Sequence, residues 1–371
     1  MDPLFDLVFE LVGGLGIFLL GMKSMSDGMQ AVAGSSLRRL IGAVTNNRLA
    51  ATLVGVFVTC VVQSSSITTV MVVGFVNSSV MSLSQAVGVI MGANIGTTVT
   101  NTLVSLGHVR CKDEFKRAFA SATIHDFFNL LAVAIFLPLE MAFGILEKIS
   151  HWLVSPMLAT GDMSMGGLNF IKPITKPVVS AIKEPLSTFG DTVGGIMLIV
   201  LGIATIFVAI TVMGKLMKSL MVGRAREILK NAIGRGPIHG IASGSIVTIL
   251  VQSSSTTTSL MVPLVGSGVL KVRDVYPFTL GANIGTCITA LLAATAVSGE
   301  FAVFALQIAL VHLVFNIMAT VFIFGIPFLR ELPVKAADII SDMAVKNKSV
   351  VAGYLIAVFL VLPGTVLALT A

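Results

Sequence analysis

The sequence is short of charge. Lys, Arg, Asp and Glu together make up 11% of its 371 residues, too few to clothe a water-soluble protein of this length. It is short of cysteine too. Cys60, Cys111 and Cys287 are an odd number without metal-ligand spacing, which excludes a disulfide framework or zinc site and leaves three small, apolar side chains. No basic run is interleaved with aromatics, so a net charge of +6 does not point to nucleic acid. Met1–Asp6 is acidic and lacks the basic segment and cleavage site of a secretory signal, so the first apolar stretch is expected to remain in the membrane. No Gly-x-Ser-x-Gly surrounds a nucleophile and no His-Glu-x-x-His occurs. The chain therefore reads as a non-enzyme with no cofactor.

What is abundant is apolar. Hydrophobic residues make up 55% of the chain and the mean hydropathy is +0.98. Leu11–Leu20, Val193–Val212, Phe301–Phe324 and Val350–Leu369 approach the ~20 apolar residues that cross a bilayer as a helix. The expected fold is an all-α polytopic membrane protein. Its 35 glycines, singly, suit close helix packing.

An internal repeat organises the chain. Residues 63–105 align with 252–294 at a constant offset of 189, and 18 of the 43 aligned positions are identical, a level that chance does not produce. The cores are Gln-Ser-Ser-Ser-x-Thr-Thr, at Gln63–Thr69 and Gln252–Thr258, and Gly-Ala-Asn-Ile-Gly-Thr, at Gly92–Thr97 and Gly281–Thr286. Further on, His125–Asn129 matches His312–Asn316 as His-x-x-Phe-Asn, and Gly21 upstream matches Gly202. The expected division is a first repeat over 1–145 and a second over 190–330. Between them, 146–189 is an extracellular or periplasmic connector. Its prolines, Pro156, Pro173, Pro177 and Pro185, mark it as a loop with short helices at most. A basic cytoplasmic segment and a last span occupy 331–371. Placing the Arg110–Arg117 loop in the cytoplasm puts the basic Lys215–Arg235 loop there as well. Arg38, Arg39 and Arg48 are the exceptions, left outside. The repeats then enter from opposite faces, the inverted topology of many secondary transporters.

The duplicated motifs suit ions. Seven mostly polar positions at Gln63–Thr69 sit between apolar arms too short to span. Such a run is tolerated at membrane depth only where the backbone breaks and lines a cavity. Each repeat is therefore expected to carry a re-entrant helical hairpin, around 49–80 and 237–270, with the Gln-Ser-Ser-Ser at its tip. Hydroxyls, a Gln amide and free N–H groups at a half-helix N-terminus can hold an anion without Lys or Arg. Gly92–Thr97 and its copy look like second breaks, two glycines permitting unwinding and an Asn offering an amide oxygen to a hard cation such as sodium. Asp126 lies in the apolar span Phe119–Leu139, and its counterpart is Leu313. An intramembrane carboxylate either binds a cation or takes a proton. His125 and His312 read as hydrogen-bonding groups holding the hairpin ahead of proton carriers or metal ligands. Asn129 and Asn316 serve packing or ion coordination.

The paired Gln-Ser-Ser-Ser and Gly-Ala-Asn-Ile-Gly-Thr motifs, with Asp113–Ala120 running into His125–Asn129, resemble the type II sodium-dependent phosphate cotransporter family. The resemblance covers about 11–145 and 190–325. It implies a multi-pass bacterial inner-membrane protein importing inorganic phosphate with sodium as co-substrate, by alternating access at a midplane site between the two tips. Phosphate would meet Gln63, Ser64, Ser65, Ser66, Gln252, Ser253, Ser254 and Ser255. Sodium would meet Asp126, Asn94, Thr97, Thr68, Asn129, Asn283, Thr286 and Thr257. In electrogenic members an Asp follows the His, preceded by two alanines, where electroneutral members have Gly. Ala120, Ala122 and Asp126 match the electrogenic pattern. The alternatives are a sodium symporter for another small anion and a passive phosphate exporter.

Overall fold

The structure, a computed structural model, describes residues 41–159, 171–221, 235–296 and 302–361, together with 13–14, 16–18, 20–21, 23–25, 27–28, 31, 233 and 365. Among them every regular element is helical. The first half holds α1 (Arg48–Val62), α2 (Ser65–Asn77), α3 (Leu83–Gly96), α4 (Val99–Ser105) and α5 (Lys112–Phe143). Next come α6 (Ile145–Ala159), α7 (Ile171–Ser187) and α8 (Asp191–Met221). The second half holds α9 (Pro237–Val251), α10 (Ser254–Ser259), α11 (Met261–Gly266), α12 (Val272–Ala296) and α13 (Ala302–Ala319); α14 (Pro327–Lys346) and α15 (Ser349–Ile356) follow. Among the described residues five stretches are long and apolar enough to cross a membrane: Leu83–His108, Lys112–Phe143, Thr192–Ala209, Val272–Thr295 and Ala302–Phe324. On α8, Val193, Val200, Phe207 and Val208 are exposed, as lipid-facing residues would be.

Helix bounds repeat with the sequence. Adding 189 to the ends of α1 gives those of α9, and adding it to the ends of α2 gives the start of α10 and the end of α11. Backbone outliers repeat as well. Gln63 and Gln252 are left-handed at φ 60° and 56°, and Ser79 (φ 56°) matches Gly268 (φ 79°).

Glycine builds the principal helix pair of each half. In the first, α1 packs along α3, so closely that a Cβ on Gly92 would lie 1.8 Å from the Thr52 carbonyl oxygen and one on Gly55 2.2 Å from that of Val89. In the second, α9 packs along α12, and the corresponding contacts are Gly281 to Ile241 at 2.0 Å and Gly244 to Phe278 at 2.0 Å. Size is exchanged across the pair: Gly88 faces Ala51, whereas its counterpart Pro277 faces Gly240. Gly21 and Gly202 touch each other, a Cβ on Gly202 falling 2.7 Å from the Gly21 carbonyl oxygen and one on Gly21 2.9 Å from that of Gly202. Because the obstacle at Gly92 is backbone, Gly92→Ala must push α1 and α3 apart. The expected cost is about 2 kcal/mol or more, read as a lower melting temperature of the purified protein, whereas Gly42→Ala, with nothing within 4 Å, leaves it unchanged.

The second arms cross over. Helix α2 packs on α12 and α13 of the other half, and α10 and α11 pack on α4 and α5. Arg117, in the first turns of α5, donates from Nε to the Gly266 carbonyl (2.9 Å) at the end of α11. Near the far end of α5 sits Glu140, with the start of α1 against it. There Arg48 pairs with Glu147 at 2.6 Å and Glu140 at 3.6 Å, donates to the Glu140 carbonyl, and reaches Ser84 Oγ at 2.9 Å. Helix α14 lies along α5 and ties both halves, with Lys116–Asp342 at 2.5 Å and Arg273–Glu331 at 2.6 Å. The Arg273 guanidinium holds the Glu331 carboxyl below its ordinary range.

Two expectations need correction. Residues 146–189 are mostly helical, not a loop: Pro173 falls in the first turn of α7, where a missing N–H costs nothing, and Pro156, Pro177 and Pro185 sit inside helices. The Gly-Ala-Asn-Ile-Gly-Thr segments stay helical through their glycines, and only the first copy ends in a break, at its final threonine. Helix α12 runs through Gly281–Thr286 without interruption, and in the first half the chain turns only at Thr97–Thr98, because the glycines serve close packing instead. Cys111 is exposed, just ahead of α5. Arg48, assigned outside against the charge rule, has its charge answered by Glu140 and Glu147. Arg38, Arg39 and most of Leu11–Leu20 lie outside the described residues. Of the Lys215–Arg235 loop, 215–221 continue α8, while 222–232 and 234 lie outside them.

Candidate functional site

Each Gln-Ser-Ser-Ser is a helix break built the same way twice. Gln63 ends α1 in the left-handed region, its N–H bonded to the Thr59 carbonyl, and Gln252 ends α9 with its N–H on the Thr248 carbonyl. Glutamine pays for a conformation that favours glycine or asparagine, so its side chain must matter there. Gln63 Nε2 donates to the Cys60 carbonyl at 2.7 Å, and its Oε1 accepts from Thr100 Oγ1 at 2.8 Å. Gln252 Nε2 donates to the Ile249 carbonyl at 2.6 Å, and its Oε1 accepts from Thr289 Oγ1 at 2.8 Å. Each amide thus latches its break to the neighbouring helix and keeps one N–H to spare.

The serines start the next helix. Ser64 is the N-cap of α2, its Oγ accepting from Ile67 N at 3.3 Å, and Ser253 caps α10 by accepting from Thr256 N at 3.2 Å. The first intrahelical bonds are Thr68 N to the Ser64 carbonyl and Thr257 N to the Ser253 carbonyl. The N–H groups of Ser65, Ser66, Ser254 and Ser255 precede them, at helix starts where donors have no intrahelical partner. All four serines are buried. Gln63 is exposed, whereas Gln252 is buried.

Between the halves lies a network of amides and imidazoles. Asn94 donates to Asn316 Oδ1 at 2.7 Å, and Asn283 donates to Asn129 Oδ1 at 2.8 Å. His312 Nε2 meets Asn94 Oδ1 at 3.1 Å, and His125 Nε2 meets Asn283 Oδ1 at 2.7 Å. An amide oxygen only accepts, so both histidines carry their proton on Nε2. The Asn of each Gly-Ala-Asn-Ile-Gly-Thr is gripped by the His-x-x-Phe-Asn of the opposite half. Asn129 also donates to the Asn94 carbonyl at 2.9 Å. Thr258 Oγ1 adds a further link across the halves, donating to Asn101 Oδ1 at 3.0 Å.

The structure therefore divides the residues read from sequence as sodium ligands. Asn94, Asn129 and Asn283 share the central network, where each side-chain oxygen already accepts a hydrogen bond. Thr68 and Thr257 flank the breaks, their hydroxyls on the Ser64 and Ser253 carbonyls at 3.1 and 2.9 Å. Thr97 and Thr286 bond the Ala93 and Ala282 carbonyls one turn back, at 2.9 and 3.0 Å. Asp126 stands apart from the network. It is fully buried, and its Oδ2 accepts from Tyr354 Oη at 2.8 Å and Thr102 Oγ1 at 3.3 Å. Thr98, Thr102 and Tyr354 escaped the sequence reading. A usable signal existed for Tyr354: a tyrosine inside an apolar span needs a partner for its hydroxyl.

Buried polar networks between apolar helices, repeated in two halves, define a polytopic helical membrane protein with an internal polar site. The chain belongs to the Na+/Pi-cotransporter family, whose model matches residues 17–172 and 205–330. It is 31% identical to sodium-dependent phosphate transport protein 2B of Homo sapiens, over 97% of this chain and 64% of the relative. With the 2B protein of Bos taurus it shares 32% identity over 96% and 64%, and with the 2A protein of Ovis aries 30% over 96% and 66%. The chain thus spans about two thirds of the length of these relatives. No solved structure matches it.

Proposed function

We propose that this protein is a sodium-coupled symporter that imports inorganic phosphate across the inner membrane of a bacterial cell, with sodium as co-substrate and net movement of charge. One observation carries the reading: the two Gln-Ser-Ser-Ser breaks share one geometry, each presenting free N–H groups, serine hydroxyls and a spare amide N–H beside a helix start. These are donors to an anion. No Lys or Arg lies in either motif, and a site of neutral donors can release what it binds.

Opposite entry of the repeats draws support from α5. About 35 Å of helix, at 1.5 Å per residue, separates Arg117, beside the end of α11, from Glu140, beside the start of α1. The reciprocal contact of Gly21 with Gly202 is what a two-fold relation between the halves would produce. On this reading each break is the tip of a re-entrant segment, and the tips share one midplane site. The exposed Gln63 and buried Gln252 fit one face of alternating access. Asp126 supplies one sodium site.

The test for the anion is competition. Arsenate, which copies the shape and charge of phosphate, is expected to inhibit phosphate uptake by the purified protein, and sulfate to leave it unchanged. The reverse order would replace phosphate as substrate by another small anion.

A further inference from the structure

Two features of the chain break its repeat. Asp126 has Leu313 as its counterpart, and α15 follows both halves. The structure brings the two together. Tyr354 of α15 donates to Asp126 Oδ2 at 2.8 Å, and Thr102 of α4 donates to the same oxygen at 3.3 Å. Both hydroxyls therefore engage one side of the carboxylate. The other oxygen, Oδ1, is buried and has no hydrogen-bond partner among the described residues. Thr98 stands beside the carboxylate. Its hydroxyl reaches the Ile95 carbonyl at 2.8 Å and can turn its proton to the carboxylate instead.

A buried carboxylate oxygen without a donor is costly unless a cation completes it. We propose that Tyr354 is a positioning residue for a cation at Asp126: by holding Oδ2, it fixes the carboxylate so that Oδ1 faces the ion. The inference rests on the reading of Asp126 as a sodium ligand and extends it to the last span. The ring of Tyr354 is itself fixed, with Phe119, Phe127 and Phe359 at centroid distances of 6.3, 6.0 and 6.4 Å. Directly after α15 the chain forms a π-helical turn, Ala357–Val361, a departure from α geometry that is frequent at functional sites.

Tyr354→Phe keeps the ring and its packing and removes one hydroxyl. The experiment measures phosphate uptake into proteoliposomes against sodium concentration for the full chain, Tyr354→Phe, Asp126→Asn and the double variant. Tyr354→Phe is expected to raise the sodium half-saturation constant about three- to tenfold, part of the worth of a hydrogen bond to a charged group. At saturating sodium the phosphate half-saturation constant should stay at the wild-type value. In the Asp126→Asn background the same change should have no further effect on sodium. A merely structural tyrosine would lower melting temperature and shift both constants together.

An unchanged sodium constant in Tyr354→Phe, or an equal shift with and without the carboxylate, overturns the role of Tyr354 while leaving Asp126 as a ligand. Wild-type sodium dependence in Asp126→Asn overturns the cation reading itself, and the inference with it. If Tyr354→Phe does not transport, the sodium-dependent rise in melting temperature of the purified protein reports the same affinity. Its midpoint should move to higher sodium, and an unmoved midpoint counts against the proposal.

Discussion

Gln63→Ala and Gln252→Ala are each expected to lower phosphate uptake by about a hundredfold or more, equivalent to ~2.7 kcal/mol in the transport barrier, in protein that still inserts and folds. Each glutamine is the left-handed residue on which its helix break turns, and its amide ties that break to a neighbouring helix. Truncation strips the Cys60 or Ile249 carbonyl of a donor and leaves Thr100 or Thr289 without its acceptor. It also removes the spare amide N–H from the anion. Alanine in the left-handed region adds strain. Gln63→Gly separates the causes, since glycine adopts that backbone freely. If the amide is what matters, glycine is as inactive as alanine; recovery with glycine would assign the glutamine to backbone shape alone. Near-normal uptake by either alanine variant would remove the breaks from the transport site.

Asp126→Gly is expected to abolish the dependence of uptake on membrane voltage while leaving weakened phosphate uptake. A carboxylate buried among apolar helices needs a cation or a proton, and the proposed cycle offers sodium. Removing it deletes one positive charge from each inward cycle and installs the residue that the resemblance assigns to electroneutral members. One elementary charge moved through 100 mV is worth about 2.3 kcal/mol, so the difference between a steep and a flat uptake–voltage curve is readily measured. The same change leaves the Tyr354 hydroxyl without its acceptor, which accounts for some loss of activity without any role in charge movement. Voltage dependence equal to the wild type would place the moving charge elsewhere and make Asp126 a structural residue.

The parts of this architecture that were legible in the sequence are those written locally and twice. A polar run between two short apolar arms signals a break wherever it occurs, and duplication at an offset of 189 set the bounds of both copies. The glycines of Gly92–Thr97 were legible as special but misassigned. Gly88, Gly92 and Gly96 recur every four residues, a spacing that serves one helix face as well as it serves unwinding. The backbone that decides between these, at Thr52 and Val56, lies about 40 residues earlier. The histidines were legible as hydrogen-bonding groups, but their asparagine partners were not, because these bonds join residues 158 and 218 positions apart. Tyr354 was hidden for the opposite reason: it belongs to no repeat, so no second copy called attention to it. The prolines of 146–189 misled because a proline near a helix start costs nothing, and one inside a helix removes a bond and crowds the preceding turn without always ending the helix.

The central claim is that a sodium gradient alone moves phosphate through this chain. Its most direct test is radiolabelled phosphate uptake by purified protein in sealed proteoliposomes, with sodium outside and potassium within. The expected result is transient accumulation of phosphate above its external concentration, saturable in phosphate and abolished by a sodium ionophore or by replacing external sodium with potassium. Uptake that stops at the external concentration, whether or not a sodium gradient is imposed, would contradict coupling and make the protein a passive phosphate pathway.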